Sequence, residues 1–260
     1  MYDRSHWPAL PPPRKIALTT LEEHPCPYLP GRAARNRAFV CDSMPPELYH
    51  GLMDAGFRRS GTFVYQPVCS GCRECRPIRV PVSKFLPSKS QRRAWRRNQD
   101  LVARVESPPT PSAEKFELYT RYLRDRHDPE RAENFDNFVE FLYRSPVQTL
   151  EITYRLPDPS RTLVGVGICD ICANRSLSSV YFYFDPAHAR RSLGTFSSLW
   201  EIDLARRMGI PYYYLGYHIA GCDAMSYKAN FRPCELLHPD GAWREYFSQN
   251  CAAADVENAK

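Results

Sequence analysis

Three cysteines at three-residue spacing, Cys69, Cys72 and Cys75, have the clearest potential for metal chemistry in this chain. With a fourth thiol from elsewhere in the sequence, such a triplet offers enough thiolates for a tetrahedral zinc ion or an iron–sulfur cluster. Cys26 is the remote partner in the preferred set, and Cys41 is an equal candidate. The alternative is that these are ordinary cysteines of a tight turn, because one triplet with a single remote partner is a weaker signal than two chelating pairs.

A positively charged segment follows the cysteines. Residues 76–99 contain eight Lys or Arg and no acid, so the rest of this +6 chain has 35 − 8 = 27 basic against 29 acidic residues. Charge concentrated in this way indicates a polyanionic partner. On a helix capped by Ser88 or Ser90, five cations share one face: Lys89, Arg92, Arg93, Arg96 and Arg97. A solvated helix side is the alternative, but like charges at i,i+4 repel each other, so we expect contact with a polyanion.

A carboxylate, Asp185, ends the apolar strand Val180–Phe184. There it could take a proton from an amine or hold the amine in place, and it could equally be a turn cap. Arg191 and Gly194 then stand near a predicted helix start, in the spacing that acyl-CoA enzymes use to hold a pyrophosphate on helix amides. Phe196 occupies the position where those enzymes need a small residue, which argues against coenzyme A as the donor.

A further aromatic and cationic group follows the last predicted central strand. Tyr227, Lys228 and Arg232 suit phosphate binding or base stacking. They suit an amphipathic helix with inward-packed aromatic side chains equally well, so both interpretations stay open at this point.

Composition excludes several classes of protein. A hydrophobic content of 43% and an aromatic content of 13% exclude intrinsic disorder. No apolar run approaches the roughly 18 residues of a membrane span, and the first residues, MYDRSHWPALPPPRK, lack the hydrophobic core of a secretion signal. We therefore expect a cytoplasmic protein without membrane partners, in which ten cysteines are not a disulfide framework.

The elements that position these residues fall into two parts, joined by a linker at residues 106–112. The N-terminal domain, 1–108, combines short strands, a short helix and the basic helix, which we expect to run from Ser88 to about Val105. The C-terminal domain, 109–260, has two helices, three antiparallel strands, a helix at 192–208 and a strand at 212–217. This order predicts an α+β chain with a GNAT-like acyltransferase domain behind a smaller mixed domain.

Several longer motifs connect these patterns to a known family. They are HPCPYLPGR, YQPVCSGCRECRPIRV, FLPSKSQRRAWRRN, VYFYFDP, SLGTFSSLWEIDLARRMGIPYYYLGY and MSYKANFRPCEL. With these motifs, which extend from about Ile16 to Leu237, the sequence resembles the aminoacyl-tRNA–protein transferases. It is most similar to the bacterial aspartate/glutamate leucyltransferases, relatives of the eukaryotic arginyl-tRNA–protein transferases.

The resemblance implies transfer of leucine from leucyl-tRNA to proteins that begin with Asp or Glu, which makes them N-degron substrates. The family's Asp after the central strand corresponds to Asp185, which implies a catalytic role. The eukaryotic relatives bind a metal or cluster through paired cysteines, whereas this chain has a single Cys26 and a spaced triplet, so their cofactor is not carried over. Because the aminoacyl ester is already activated, the chemistry itself needs no cofactor.

Binding roles follow from the two substrates. An acidic first residue calls for a fork-shaped cation, and we expect Arg76 and Arg79 to bind it, with Tyr65 beside them. Lys228 and Arg232 are rivals for this role. Contacts with the tRNA are expected from Lys89, Arg92, Arg93, Trp95, Arg96, Arg97, Arg191, Tyr227, Lys228 and Arg232.

Three other functions stay open at this point. The first is an arginyl-tRNA–protein transferase with the same acceptors. The second is a coenzyme A-dependent N-acetyltransferase, and the third is a zinc-dependent RNA-binding regulator without catalysis.

Overall fold

The computed structural model describes residues 15–126, 133–172 and 174–247. The strands are β1 Thr19–Thr20, β2 His24–Pro25, β3 Ala33–Ala34, β4 Asn36–Val40, β5 Arg58–Ser60, β6 Phe63–Pro67, β7 Arg76–Pro81, β8 Val102–Glu106, β9 Thr149–Arg155, β10 Leu163–Cys172, β11 Ser176–Phe184, β12 Tyr212–His218, β13 Glu235–Leu237 and β14 Trp243–Glu245. The α-helices are α1 Pro46–Asp54, α2 Lys89–Arg97, α3 Ala113–Arg126, α4 Phe135–Phe138, α5 Leu193–Arg207 and α6 Asp223–Ser226. Other helical turns cover Val82–Lys84, Val139–Tyr143, Pro186–Arg191 and Tyr227–Asn230.

None of the helices within the described ranges has both the length and the apolar character that crossing a membrane requires.

The centre of the fold is an eight-stranded sheet in the order β14-β13-β7-β12-β11-β10-β9-β8. Neighbouring strands are antiparallel except β11 and β12, which run parallel and are connected through α5. An antiparallel meander therefore leads into a parallel strand–helix–strand unit. The predicted α+β class with a GNAT-like acyltransferase fold is confirmed.

Helices cover the two faces of this sheet. Successive side chains of β11 point to opposite faces, so Tyr183 belongs to a cluster with α3, whereas Phe182 packs on the cluster of α5. Leu118 of α3 is 1% exposed, and Phe196 and Ile202 of α5 are 3% and 1% exposed. Burying a side chain of this size contributes roughly 1.5–3 kcal/mol, so apolar packing fixes both helices on the sheet.

A smaller four-stranded sheet, in the order β1-β4-β6-β5, joins the central sheet through a buried cluster and one ion pair. Val64 of β6 and Tyr214 of β12 lie in that cluster. Arg59 of β5 forms two hydrogen bonds of 2.6 Å with the Asp170 carboxylate of β10, and both side chains are fully buried. Such a pair stabilises the contact only while both charges are present.

The central sheet contains strands from both sides of the boundary expected between residues 108 and 109. β7 and β8 precede that position in the chain, whereas β9 to β14 follow it. β7 lies between β12 and β13, in the interior of the sheet. The two parts of the chain therefore share one sheet.

The basic helix α2 is shorter than the sequence predicts. It ends at Arg97 rather than near Val105. Asn98 closes it, because its side-chain amide donates to Ala94 O at 2.8 Å and to Arg191 O at 2.9 Å. The residues that follow form β8, which pairs antiparallel with β9.

Candidate active site

The parallel strands β11 and β12 separate part-way along their length. They are in register only at Ser176–Tyr212, Leu177–Tyr213 and Ser178–Tyr214. β11 continues to Phe184 with its other edge bonded to β10, so alternate backbone N–H and C=O groups of residues 179–184 face the gap. This row of donors and acceptors could bind an extended substrate.

A bulge bends β12 where it forms the other wall of the gap. Its register with β7 shifts between Tyr214 and Tyr217, and Gly216 has a φ of +81°, which favours glycine. The Lys228 ammonium lies against this bulge and donates to Tyr217 O at 3.0 Å. Burial, followed by the charge of Arg58, lowers the pKa of Lys228 to about 7.

Asp185 lies at the end of β11 and caps the turn that follows. Its Oδ1 accepts from the Ala187 amide at 3.0 Å, and its Oδ2 accepts from Arg121 Nη2 at 3.2 Å. The turn cap considered as an alternative is therefore present. Each carboxylate oxygen keeps a further lone pair, and the side chain is 17% exposed. Asp185 can thus still accept a hydrogen bond from the ammonium group of a bound substrate, or take its proton.

The start of α5 carries an ion pair. Arg191, predicted to bind tRNA, makes two hydrogen bonds of 2.9 Å with Asp100, and these bonds hold the pKa of the Asp100 carboxyl below its usual value. Phe196 is buried against Trp95 and Tyr154, so its ring points into the core. The Phe196 side chain therefore does not block a pyrophosphate at the start of α5. At that position, the Arg191 guanidinium is instead paired with the Asp100 carboxylate.

The basic face of α2 is exposed, as the sequence predicts. All five cations are exposed, whereas Gln91 and Asn98 on the other side of the helix are buried. Within the described ranges, none of the five forms an ion pair with a carboxylate. The face therefore offers uncompensated positive charge to phosphate groups.

A groove of about 270 Å³ lies between α2 and α5. Trp95, Arg92 and Arg96 line it from α2, and Leu199 and Arg206 line it from α5. An aromatic wall between guanidinium groups suits an unpaired base and its phosphate, and base stacking on Trp95 stays a prediction.

The other predicted tRNA-binding residues follow β12. Tyr227 is 46% exposed and stands next to Lys228 at the bulge, and Arg232 is half-buried. Gln91 of α2 donates to Asn230 O at 3.0 Å. This hydrogen bond connects the start of the basic helix to the segment that lies beside the gap.

The three residues predicted to bind the acceptor, Arg76, Arg79 and Tyr65, differ from one another in burial and in hydrogen-bond partners. Arg79 is 8% exposed and donates to Glu235 at 2.7 Å, so it serves the internal structure, and its predicted role at the acceptor carboxylate is not supported. Arg76 is half-buried and donates to His238 Nε2 at 3.0 Å. Tyr65 is half-buried and lines a cavity beside the gap.

The four predicted metal ligands, Cys26, Cys69, Cys72 and Cys75, line that same cavity of about 300 Å³ with Tyr65. Burial, followed by the neighbouring thiols, raises the pKa of Cys75 to about 12. Among the residues that the structure describes, no three His, Cys, Asp or Glu are placed so that they could hold a metal ion. The zinc or iron–sulfur site suggested for these four cysteines stays a prediction, and no reaction step is assigned to one.

Sequence reasoning missed two cations near the site. Arg121 of α3 pairs with Asp185, and Arg58 of β5 is 6% exposed. Asp170 in the otherwise apolar run LVGVGICDIC does signal a buried cation partner, and Arg59 is that partner. No sequence signal separates Arg58 from its neighbour Arg59.

The family models and the sequence relatives point to the same family. Family models described as "Arginine-tRNA-protein transferase, N terminus" and "Arginine-tRNA-protein transferase, C terminus" match residues 24–93 and 114–238. Proteins named aspartate/glutamate leucyltransferase from Alkalilimnicola ehrlichii and Thiobacillus denitrificans are 40% and 39% identical to the chain. These alignments cover 88% and 91% of this chain and 95% and 98% of the relatives. A solved C-terminal domain of a putative lysylphosphatidylglycerol synthetase from Agrobacterium fabrum is a distant likeness, with a TM-score of 0.48, 14% identity, and coverage of 85% of this chain and 71% of that one.

Proposed function

Because the chain belongs to the arginine-tRNA-protein transferase family, we propose that it transfers leucine from leucyl-tRNA to the N-terminal Asp or Glu of proteins, creating an N-degron. The observation that carries this proposal is the nearly full-length similarity to relatives named aspartate/glutamate leucyltransferase. Its partners are then leucyl-tRNA and the acceptor polypeptide. We place the reaction in the cytoplasm, where aminoacyl-tRNAs are found.

In this reaction the α-amino nitrogen of the acceptor attacks the ester carbonyl of leucyl-tRNA. A C–N bond forms, the ester C–O bond breaks, and the terminal ribose hydroxyl leaves with a proton that comes ultimately from the amine. Because the unperturbed pKa of an α-amino group is about 7.7, part of it is neutral at cell pH. Positioning of the two substrates can then supply much of the rate.

The gap between β11 and β12 is the proposed reaction site. Backbone N–H groups of residues 179–184 that face it can donate to the oxyanion of the tetrahedral intermediate. Asp185, at the end of β11, would orient the ammonium group and accept its proton directly or through a water molecule. Arg121, which donates to one oxygen of Asp185, would hold the carboxylate in place.

The basic face of α2 and the groove beside it are proposed to bind the acceptor stem and its unpaired end. A-form RNA is recognised largely by shape and phosphate contacts, which suits exposed cations on one helix face. The hydrogen bond from Gln91 to Asn230 connects α2 to the segment of Tyr227. A stem bound along α2 would therefore bring its end toward the gap.

The test uses reporter proteins that begin with Asp, Glu, Asn, Lys or Arg, each offered with labelled leucyl-tRNA or arginyl-tRNA. We expect leucine on the Asp and Glu reporters only. An Asp reporter with an acetylated amino group is the matched control, because it keeps the side chain and lacks the nucleophile. Modification from acetyl-CoA without use of either tRNA would overturn the proposal.

A further inference from the structure

Arg58 differs from the other buried cations of this fold. In the described part of the chain, Arg59, Arg79 and Lys115 are also buried, and each is paired with a carboxylate. Arg58 is 6% exposed and has no carboxylate partner there, and its Nε has no hydrogen-bond acceptor. Its guanidinium donates instead to the backbone carbonyls of Met53, Phe57 and Gly216.

Lys228 is a second cation at the same place. Its ammonium donates to Tyr217 O at 3.0 Å, and Arg58 donates to the adjacent carbonyl, Gly216 O, at 3.1 Å. Its other contact is the Met225 sulfur at 3.4 Å, a weak acceptor. Because an ammonium group has three donors, Lys228 keeps the capacity to donate to an oxygen of a ligand.

The cationic side chains beside the β12 bulge repel one another electrostatically. Burial is the largest cause that lowers the pKa of Lys228, and the positive charge of Arg58 is the second. The pKa of His218 is lowered as well, first by burial and then by the charges of Arg76 and Lys228. Partly buried like charges without a counter-ion are unfavourable, and an anionic ligand would relieve that repulsion.

We propose that Lys228, supported by the charge of Arg58, binds the side-chain carboxylate of the acceptor's first residue. This inference rests on the leucyl transfer proposed above and makes the two cations the determinant of Asp and Glu specificity. A short acidic side chain carries its charge within a few bonds of the α-amino group. The carboxylate site must therefore lie beside the gap where the amine reacts, and Lys228 lies against one wall of that gap.

The same pair explains which first residues are rejected. Asn and Gln have a similar shape but no charge, so they would leave both cations uncompensated. Lys and Arg would add a third positive charge to the site. Discrimination between Asp and Asn thus depends on electrostatics rather than on pocket size.

The surroundings of the pair favour a carboxylate over a phosphate of the RNA. The guanidinium carbon of Arg58 lies 5.5 Å and 5.4 Å from the ring centres of Tyr214 and Tyr217, so aromatic rings enclose it. A carboxylate at the end of a flexible side chain can reach such a recessed place. A backbone phosphate brings a nucleoside on each side and fits the exposed face of α2 better.

The test compares peptides that begin with Asp or Asn in the wild type, in Lys228→Met and in Lys15→Met, a matched control that removes an exposed lysine. Peptide affinity is measured by equilibrium titration without tRNA, and kcat/KM is measured with leucyl-tRNA. We expect Lys228→Met to weaken binding of the Asp peptide by about 10- to 100-fold, as expected for a hydrogen bond between charged groups. Binding of the Asn peptide and of leucyl-tRNA should stay unchanged, so the preference for Asp falls by the same factor.

Equal losses for both peptides, or weaker leucyl-tRNA binding with the Asp preference kept, would overturn the proposal. Lys228→Arg, which keeps the charge, should keep the preference, and thermal unfolding checks that each variant is folded. The titration does not depend on catalysis. A wild-type protein that binds the Asp peptide selectively but forms no leucyl product would therefore refute the proposed reaction and not this site.

Discussion

The exposed charge of α2 gives a prediction whose size can be calculated. Arg92 and Arg97 donate to backbone carbonyls as well as being charged, so their loss would also alter local structure. Arg93 and Arg96 are exposed and have no hydrogen bond or ion pair in the described part of the chain. The double variant Arg93→Gln/Arg96→Gln therefore removes two charges and preserves the helix, because Arg and Gln have similar helix propensities.

Each phosphate that a protein neutralises adds about 0.9 to the slope of log K against log salt, a value established for duplex DNA. If both side chains contact phosphates, the slope for leucyl-tRNA should fall by about 2 in the variant. Between about 50 and 200 mM salt, the wild type should then lose roughly tenfold more affinity than the variant. Binding titrations at several salt concentrations measure this difference directly.

The matched control is Arg144→Gln/Arg244→Gln, which also removes two charges. These exposed arginines are paired at i,i+4 with Glu140 and Asp240 and lie outside the basic face. Their loss should leave the slope nearly unchanged. If both double variants lowered the slope equally, the effect would come from net charge, and an unchanged slope in the α2 variant would refute RNA contact at this face.

Other predictions address chemistry and stability. Asp185→Asn should slow leucine transfer in single-turnover assays and leave leucyl-tRNA binding unchanged, and an unchanged rate would remove Asp185 from the chemistry. Asp170→Asn leaves Arg59 buried without a counter-ion, so denaturant unfolding should show a loss of about 3–5 kcal/mol, whereas Asp240→Asn at the surface should change little. Burial raises the pKa of Glu201, so the folded state favours its protonated form and the wild type loses stability as pH rises. The free energy of unfolding of Glu201→Gln, minus that of the wild type, should therefore increase from about pH 5 to about pH 8, and a constant difference would contradict this reasoning.

The parts of the fold that sequence predicted well depend on local signals. The helix expected at 192–208 appears as α5, Leu193–Arg207. The five cations on one face of α2 follow from helical periodicity alone, and their exposure is confirmed. Asp185 could be placed at a strand end because an apolar run stops directly before it.

The parts that sequence predicted poorly depend on contacts between distant segments. Val102 and Val105 lie at helical spacing, but they are 36% and 43% exposed on β8, whose formation depends on pairing with β9. Arg79 appeared available for a ligand because its partner Glu235 comes from a remote strand. Neither strand pairing nor ion pairing of this kind leaves a periodic pattern in the sequence.

The same limit applies to the candidate site. Arg58 and Arg59 are adjacent in one strand, and both are buried. Only the fold shows that Arg59 meets Asp170, whereas Arg58 meets backbone carbonyls beside Lys228. The difference between a structural arginine and a proposed specificity determinant is therefore tertiary.

The interior position of β7 has a consequence for synthesis on the ribosome. Its neighbours β12 and β13 are translated only after residues 82–211 have followed it. Until then both edges of β7 are open, and the nascent chain must keep them from pairing with other strands. The sheet that carries the gap can form only after β12 and β13 have been translated, so a product truncated before residue 212 would lack the gap altogether.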